Sequence, residues 1–72
     1  MPFISITTWP LASDEKATAL IEALTDVVAK ATGAPLNKIS IVIHEVPKAR
    51  WGEAGVMATD ADFSSLSCRT SK

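Results

Sequence analysis

The most unusual chemistry in this sequence sits at its second position. Pro2 follows Met1, and an initiator methionine is normally removed when the next residue is small. Removal leaves Pro2 with a free secondary amine. An α-amino group has a reference pKa of about 7.7 to 8.0, and apolar surroundings disfavour its protonated form. A lone pair available near neutral pH is a general base, and a secondary amine can also attack a carbonyl to form an iminium. The proline ring adds rigidity, so the nitrogen points in one direction. Proline is also common at protein starts, and the residue alone does not assign a role. A retained Met1 turns the same nitrogen into a tertiary amide with no basic lone pair.

Other reactive side chains are scarce. One histidine, His44, and one cysteine, Cys68, are present, so neither a four-ligand zinc site nor an intrachain disulfide can be built. No Ser-His-Asp set, phosphate-binding glycine loop or carboxylate pair at helical spacing appears. Neither a metal nor a cofactor is expected. His44 near a strand end reads as a packed or interface residue, Cys68 as a free surface thiol, and Trp9 as a packing residue at a strand end or subunit contact.

The elements that must hold Pro2 can be read in chain order. Residues 2–9 (PFISITTW) are rich in β-branched and aromatic types and form a strand. Pro10 cannot donate to a ladder and ends it. Ser13 is the N-cap of a helix with Asp14 and Glu15 in its first turn. Apolar Ala17, Leu20, Ile21, Leu24, Val28 and Ala31 then step by three and four, widened by Val27, so one face of the helix covers something. Gly33 supplies a left-handed C-terminal cap and Pro35 forbids continuation. Residues 39–46 (ISIVIHEV) form a second strand. A helix of about 20 residues between the two strands makes a crossover unit, so they should lie parallel in one sheet. Beyond Pro47, the stretch from Trp51 to Met57 has glycines bracketing a turn and reads as a short hairpin. The expected fold is therefore α+β: a β-α-β unit over residues 1–60 with two parallel strands, one long helix and a short hairpin, followed by a polar C-terminal tail over 61–72 whose structure stays open.

Size imposes a further requirement. Seventy-two residues with 47% hydrophobic side chains make one small domain, and a chain of this length buries only about 60% of its unfolded surface. Without a disulfide or a metal, oligomerisation is the stabiliser that remains. Two strands under one helix leave sheet edges and one sheet face open, which asks for the same remedy. The charge balance of seven basic against eight acidic residues argues against a nucleic-acid footprint. No apolar run approaches the roughly 20 residues of a membrane span, and no signal peptide is visible, so a cytoplasmic protein is expected.

Pro2 opening a short strand, Ser13-Asp14-Glu15-Lys16 at a helix start, Gly33-Ala34-Pro35 at its end, the strand Ile41-Val42-Ile43-His44-Glu45 and the turn from Gly52 to Gly55 together resemble the 4-oxalocrotonate tautomerase family. The resemblance runs from Pro2 to about Thr59. It implies β-α-β subunits that pair into four-stranded sheets and assemble as hexamers, from six copies or from three heterodimers. It further implies that Pro2 is the catalytic residue, shuttling a proton between the enol oxygen and a carbon of an unsaturated 2-oxo acid. In related dehalogenases and hydratases the same proline acts as an acid on propiolate- or acrylate-type substrates.

This sequence departs from the family pattern at two positions. Family members acting on dicarboxylates use an arginine just before the helix cap and another at the start of the second strand; Ala12 and Ser40 stand there. Neither can grip a carboxylate as a guanidinium fork does, which puts a dicarboxylate substrate in doubt. Trp51 falls where the family places a pocket aromatic, and Arg50 beside it, or Lys48, could reach a single carboxylate. Phe3 and Val42 supply apolar wall, and Ser40 one hydrogen bond. The expected activity is tautomerisation of a 2-oxo acid, or an enol or related unsaturated monocarboxylate, by a homo-oligomer of hexamer size. The alternative is a catalytically silent or supporting subunit of a hetero-oligomeric assembly.

Overall fold

A computed structural model describes residues 1–71 of the chain; Lys72, the last residue of the tail, lies outside the described residues. Strand β1 spans Phe3–Thr8 and strand β2 spans Ser40–Glu45, paired in parallel with Phe3 opposite Ser40 and Thr8 opposite Glu45. Two further bonds lengthen the ladder. The Ser40 N–H donates to the Pro2 carbonyl at 3.1 Å, and the Val46 N–H to the Thr8 carbonyl at 2.8 Å. The second strand is shorter than its apolar run because a 3₁₀ turn at Leu36–Lys38 draws the Ile39 N–H onto the Leu36 carbonyl.

Helix α1, Asp14–Thr32, joins the strands. Its start is fixed by the Ser13 hydroxyl, which accepts from the Lys16 N–H at 3.2 Å, in the usual manner of an N-cap. Its end is fixed by Gly33 at φ 73°, whose N–H donates to the Ala29 carbonyl; only glycine adopts that conformation without strain. The loop before α1 is tied down by Glu45, whose carboxylate accepts from the Leu11 N–H at 2.6 Å. That bond joins the end of β2 to the entry of the helix.

Alternation along the strands decides which sheet face the helix covers. Ile4, Ile6, Ile41 and Ile43 are half-buried and register with one another, beneath the half-buried Ala17, Leu20, Leu24 and Val28 of α1. The opposite face carries Phe3, Ser5, Thr7, Ser40 and His44, all exposed, with Val42 half-buried among them. The apolar stripe of α1 is narrower than its spacing predicts: Ile21 is 38% exposed and Val27 60%. Two strands are too few to lie under the whole stripe.

After β2 a 3₁₀ turn at Lys48–Arg50 leads into an antiparallel hairpin, β3 (Gly52–Glu53) and β4 (Val56–Met57). Its two turn residues, Ala54 at φ 53° and Gly55 at φ 79°, are both left-handed, as a two-residue hairpin turn of the primed type demands. The tail contains a single helical turn, α2, at Phe63–Leu66. Among the described residues only Val56 is fully buried. The accessible surface is 5295 Å², against roughly 4300 Å² for a compact monomer of this mass. The radius of gyration is 16.3 Å, where a compact chain of this length has about 11 Å.

Candidate active site

Two clusters of candidate side chains form at opposite ends of the sheet. The first surrounds Pro2. Because its carbonyl is held by the Ser40 N–H, the ring is anchored at the open end of β1 and half-buried. Phe3 and Ser40 stand opposite one another in register, on the uncovered face, with Phe3 66% exposed. Met1 is 89% exposed, so the bond that must be cut to free the Pro2 nitrogen is presented to solvent. Pro2, Phe3 and Ser40 are thus brought together within one chain.

The second cluster lies where the strands end, about seven residues along β1 at roughly 3.3 Å per residue, or about 23 Å away. The Trp9 ring meets Trp51 edge-on, with centroids 5.9 Å apart and planes at 78°. Phe63 from the tail packs on Trp9 at 6.0 Å, and the Lys48 ammonium sits 4.7 Å from the Trp9 ring centroid. These are attractive geometries for aromatic pairs and for a cation over a π face. The Trp51 indole N–H donates to the Glu53 carboxylate at 2.9 Å. The Trp9 indole nitrogen is buried without a hydrogen-bond partner among the described residues. Arg50 is exposed and donates one guanidinium N–H to the Ala49 carbonyl at 2.9 Å. Ala12 is also at this end, beside the Leu11 to Glu45 bond.

Within a single chain, then, Trp51 and Arg50 cannot reach a substrate held at Pro2. No enclosed pocket forms among the described residues, and no group of side chains there could hold a metal ion. The tail contributes residues that the sequence reading left unassigned. Phe63, Leu66 and Arg69 recur every third residue and are half-buried, and the Arg69 Nε donates to the Ala54 carbonyl at 3.1 Å. That three-residue recurrence is visible in the sequence; its target, the Trp9 and hairpin surface, is not. No helix among the described residues is long and apolar enough to cross a membrane.

Comparison with known proteins bears on the fold and the family. Residues 2–61 match the profile of the family described as Tautomerase enzyme. The 2-hydroxymuconate tautomerase of Comamonas testosteroni is 42% identical over 60 residues, covering 83% of this chain and 95% of that protein. A second 2-hydroxymuconate tautomerase, from Pseudomonas putida, is 38% identical over the same shares. Among solved structures, a chain of the heterohexamer 4-oxalocrotonate tautomerase from Chloroflexus aurantiacus J-10-fl superimposes with a TM-score of 0.78 at 30% identity, covering 85% of this chain and 98% of that one. The parallel strands, the crossover helix and the hairpin are the shared fold, and the chain belongs to the tautomerase family.

Proposed function

We propose that this chain is a subunit of a tautomerase in which Pro2, freed by removal of Met1, is the general acid/base for keto-enol tautomerisation of a 2-oxo acid or a related unsaturated monocarboxylate. The observation that carries the reading is the placement of Pro2: half-buried at a strand end, pinned through its own carbonyl, with its nitrogen behind a single exposed residue. The amine lone pair takes the proton of the enol hydroxyl, the oxygen becomes the carbonyl, and the ammonium returns a proton to the neighbouring carbon. The net change is an isomerisation, and no co-reactant is consumed. Around an amine within apolar walls the ammonium is disfavoured, which keeps the base available near neutral pH.

The pocket is completed between subunits. Trp51 and Arg50 lie at the end of the sheet away from Pro2, so they line its pocket only when a second copy runs beside the first in the opposite direction. An antiparallel pairing of two β-α-β units into four strands does this, and three such pairs in a hexamer cover the open sheet face. The excess accessible surface of about 1000 Å² relative to a compact monomer is of the size of one standard interface patch, about 800 Å² per partner. The Pro2→Ala variant tests the chemistry. It should lower kcat/KM for ketonisation of phenylenolpyruvate by about 100-fold or more, the scale of general acid-base catalysis, while the assembly persists. Equal turnover by the two proteins rejects the reading.

A second reading has its own support. Ala12 and Ser40 stand where the resemblance implies two arginines, and one structural relative is a heterohexamer. On that reading the chain is a supporting subunit beside a different, active one. Native mass spectrometry of the chain alone and of the chain coexpressed with candidate partners separates the two. An active homo-oligomer favours the first, and a chain stable only beside a second type favours the other.

A further inference from the structure

The segment that follows the family match is built into the subunit. The match stops at residue 61, and the Comamonas and Pseudomonas relatives are matched over 95% of their own lengths; the following residues are an addition with respect to them. Yet the tail supplies Phe63 to the face of Trp9, and Trp9 in turn holds Trp51. Its helical turn packs against β4, which carries the fully buried Val56. Arg69 closes the contact by donating from Nε to the carbonyl of Ala54, three residues beyond Trp51. Ala54 holds a left-handed φ of 53° that an alanine adopts only under strain, at the residue whose carbonyl receives Arg69.

The bond to Ala54 uses Nε and leaves the two terminal nitrogens of Arg69 without a partner among the described residues, where no carboxylate lies within ion-pair distance of it. Two parallel N–H groups on one guanidinium edge are the geometry that binds a carboxylate in a bidentate manner. The two cations on the Trp51 segment itself are less suited. Lys48 has its ammonium on the Trp9 ring, and Arg50 spends one terminal nitrogen on the Ala49 carbonyl. We propose that Arg69, carried by the added C-terminal segment and anchored on the Trp51 hairpin, is the residue that binds the carboxylate of a monocarboxylate substrate, replacing the guanidinium groups absent at positions 12 and 40. The proposal rests on the reading of Pro2 as the acid/base of a pocket shared between subunits. Wherever a second copy brings Trp51 to Pro2, Arg69 travels with it, because Phe63, Trp9 and Ala54 fasten the tail to that end of the chain.

The test separates binding from chemistry. Calorimetric titration of the assembled protein with 3-phenylpropionate and with its uncharged amide, 3-phenylpropanamide, reads the carboxylate contact without turnover. Wild type should prefer the carboxylate, and Arg69→Ala and Arg69→Gln should bind it about tenfold more weakly, with the amide unchanged; Gln keeps a donor for Ala54 and removes the charge. Arg69→Lys should recover part of the loss. In turnover of phenylenolpyruvate the same variants should raise KM by about tenfold and change kcat by less than about threefold. A wild type with no preference for the carboxylate, or Arg69→Gln with an unchanged Kd and KM, overturns the proposal while leaving a Pro2→Ala defect untouched. Conversely, weakened binding by Arg69→Gln together with full activity of Pro2→Ala retains the carboxylate site and rejects the assigned role of Pro2.

Discussion

At the scale of single residues, the proposed chemistry turns on one atom, the nitrogen of Pro2, and on how few groups compete with it. His44 is exposed on the open sheet face and Cys68 is exposed in the tail, and neither sits beside Pro2. A single titrating base predicts a simple pH dependence. In the direction from enol to ketone, kcat/KM should rise with pH as the Pro2 ammonium loses its proton, and then level. The sign follows from the role: the reactive form is the neutral amine, so activity is lost as the pH falls through its pKa. A rate profile flat from pH 5 to 9 contradicts the assignment.

At the scale of elements, local signals were enough wherever a residue acts on its own backbone. Ser13 as cap, Gly33 as left-handed terminator and Pro10 as the end of a strand all stand where their chemistry demands. A Cβ at Gly33 meets nothing within 4 Å, so Gly33→Ala should cost about 1 kcal/mol through backbone strain alone, measurable as a lowered urea midpoint with an unchanged slope. The Trp9 cluster was not legible in the same way. Trp9, Phe63 and the Lys48 to Trp51 turn come from three segments, and nothing in their spacing says that they meet; only the folded backbone does. Phe63→Ala tests that joint. It removes half-buried aromatic surface and should cost about 1 to 2 kcal/mol, read by unfolding at one fixed protein concentration, and should also loosen the tail that carries Arg69. The site was likewise half legible. Pro2, Phe3 and Ser40 meet through strand register, which alternation reveals, whereas bringing Trp51 and Arg50 to them needs a second chain, which one sequence cannot display.

At the scale of the whole molecule, a chain with 47% hydrophobic residues has one fully buried side chain among those described. Phe3, Val27, Leu36 and Met57 stand 41 to 67% exposed, on both sides of the sheet and at the hairpin. A single copy therefore gains little from burying apolar surface, and stability and activity should both belong to the assembly. Diluting the protein should lower its thermal midpoint and its specific activity together, because association binds only the folded form. A monomer whose midpoint is independent of concentration contradicts the shared pocket. The most direct test of the central claim compares two forms of the same chain, each identified by its intact mass: one processed to an N-terminal Pro2 and one retaining Met1. Phenylenolpyruvate ketonisation should proceed with the processed form and fall by about 100-fold or more with Met1 retained, since acylation removes the basic lone pair. Equal rates for the two forms would show that the Pro2 nitrogen carries no proton in the reaction.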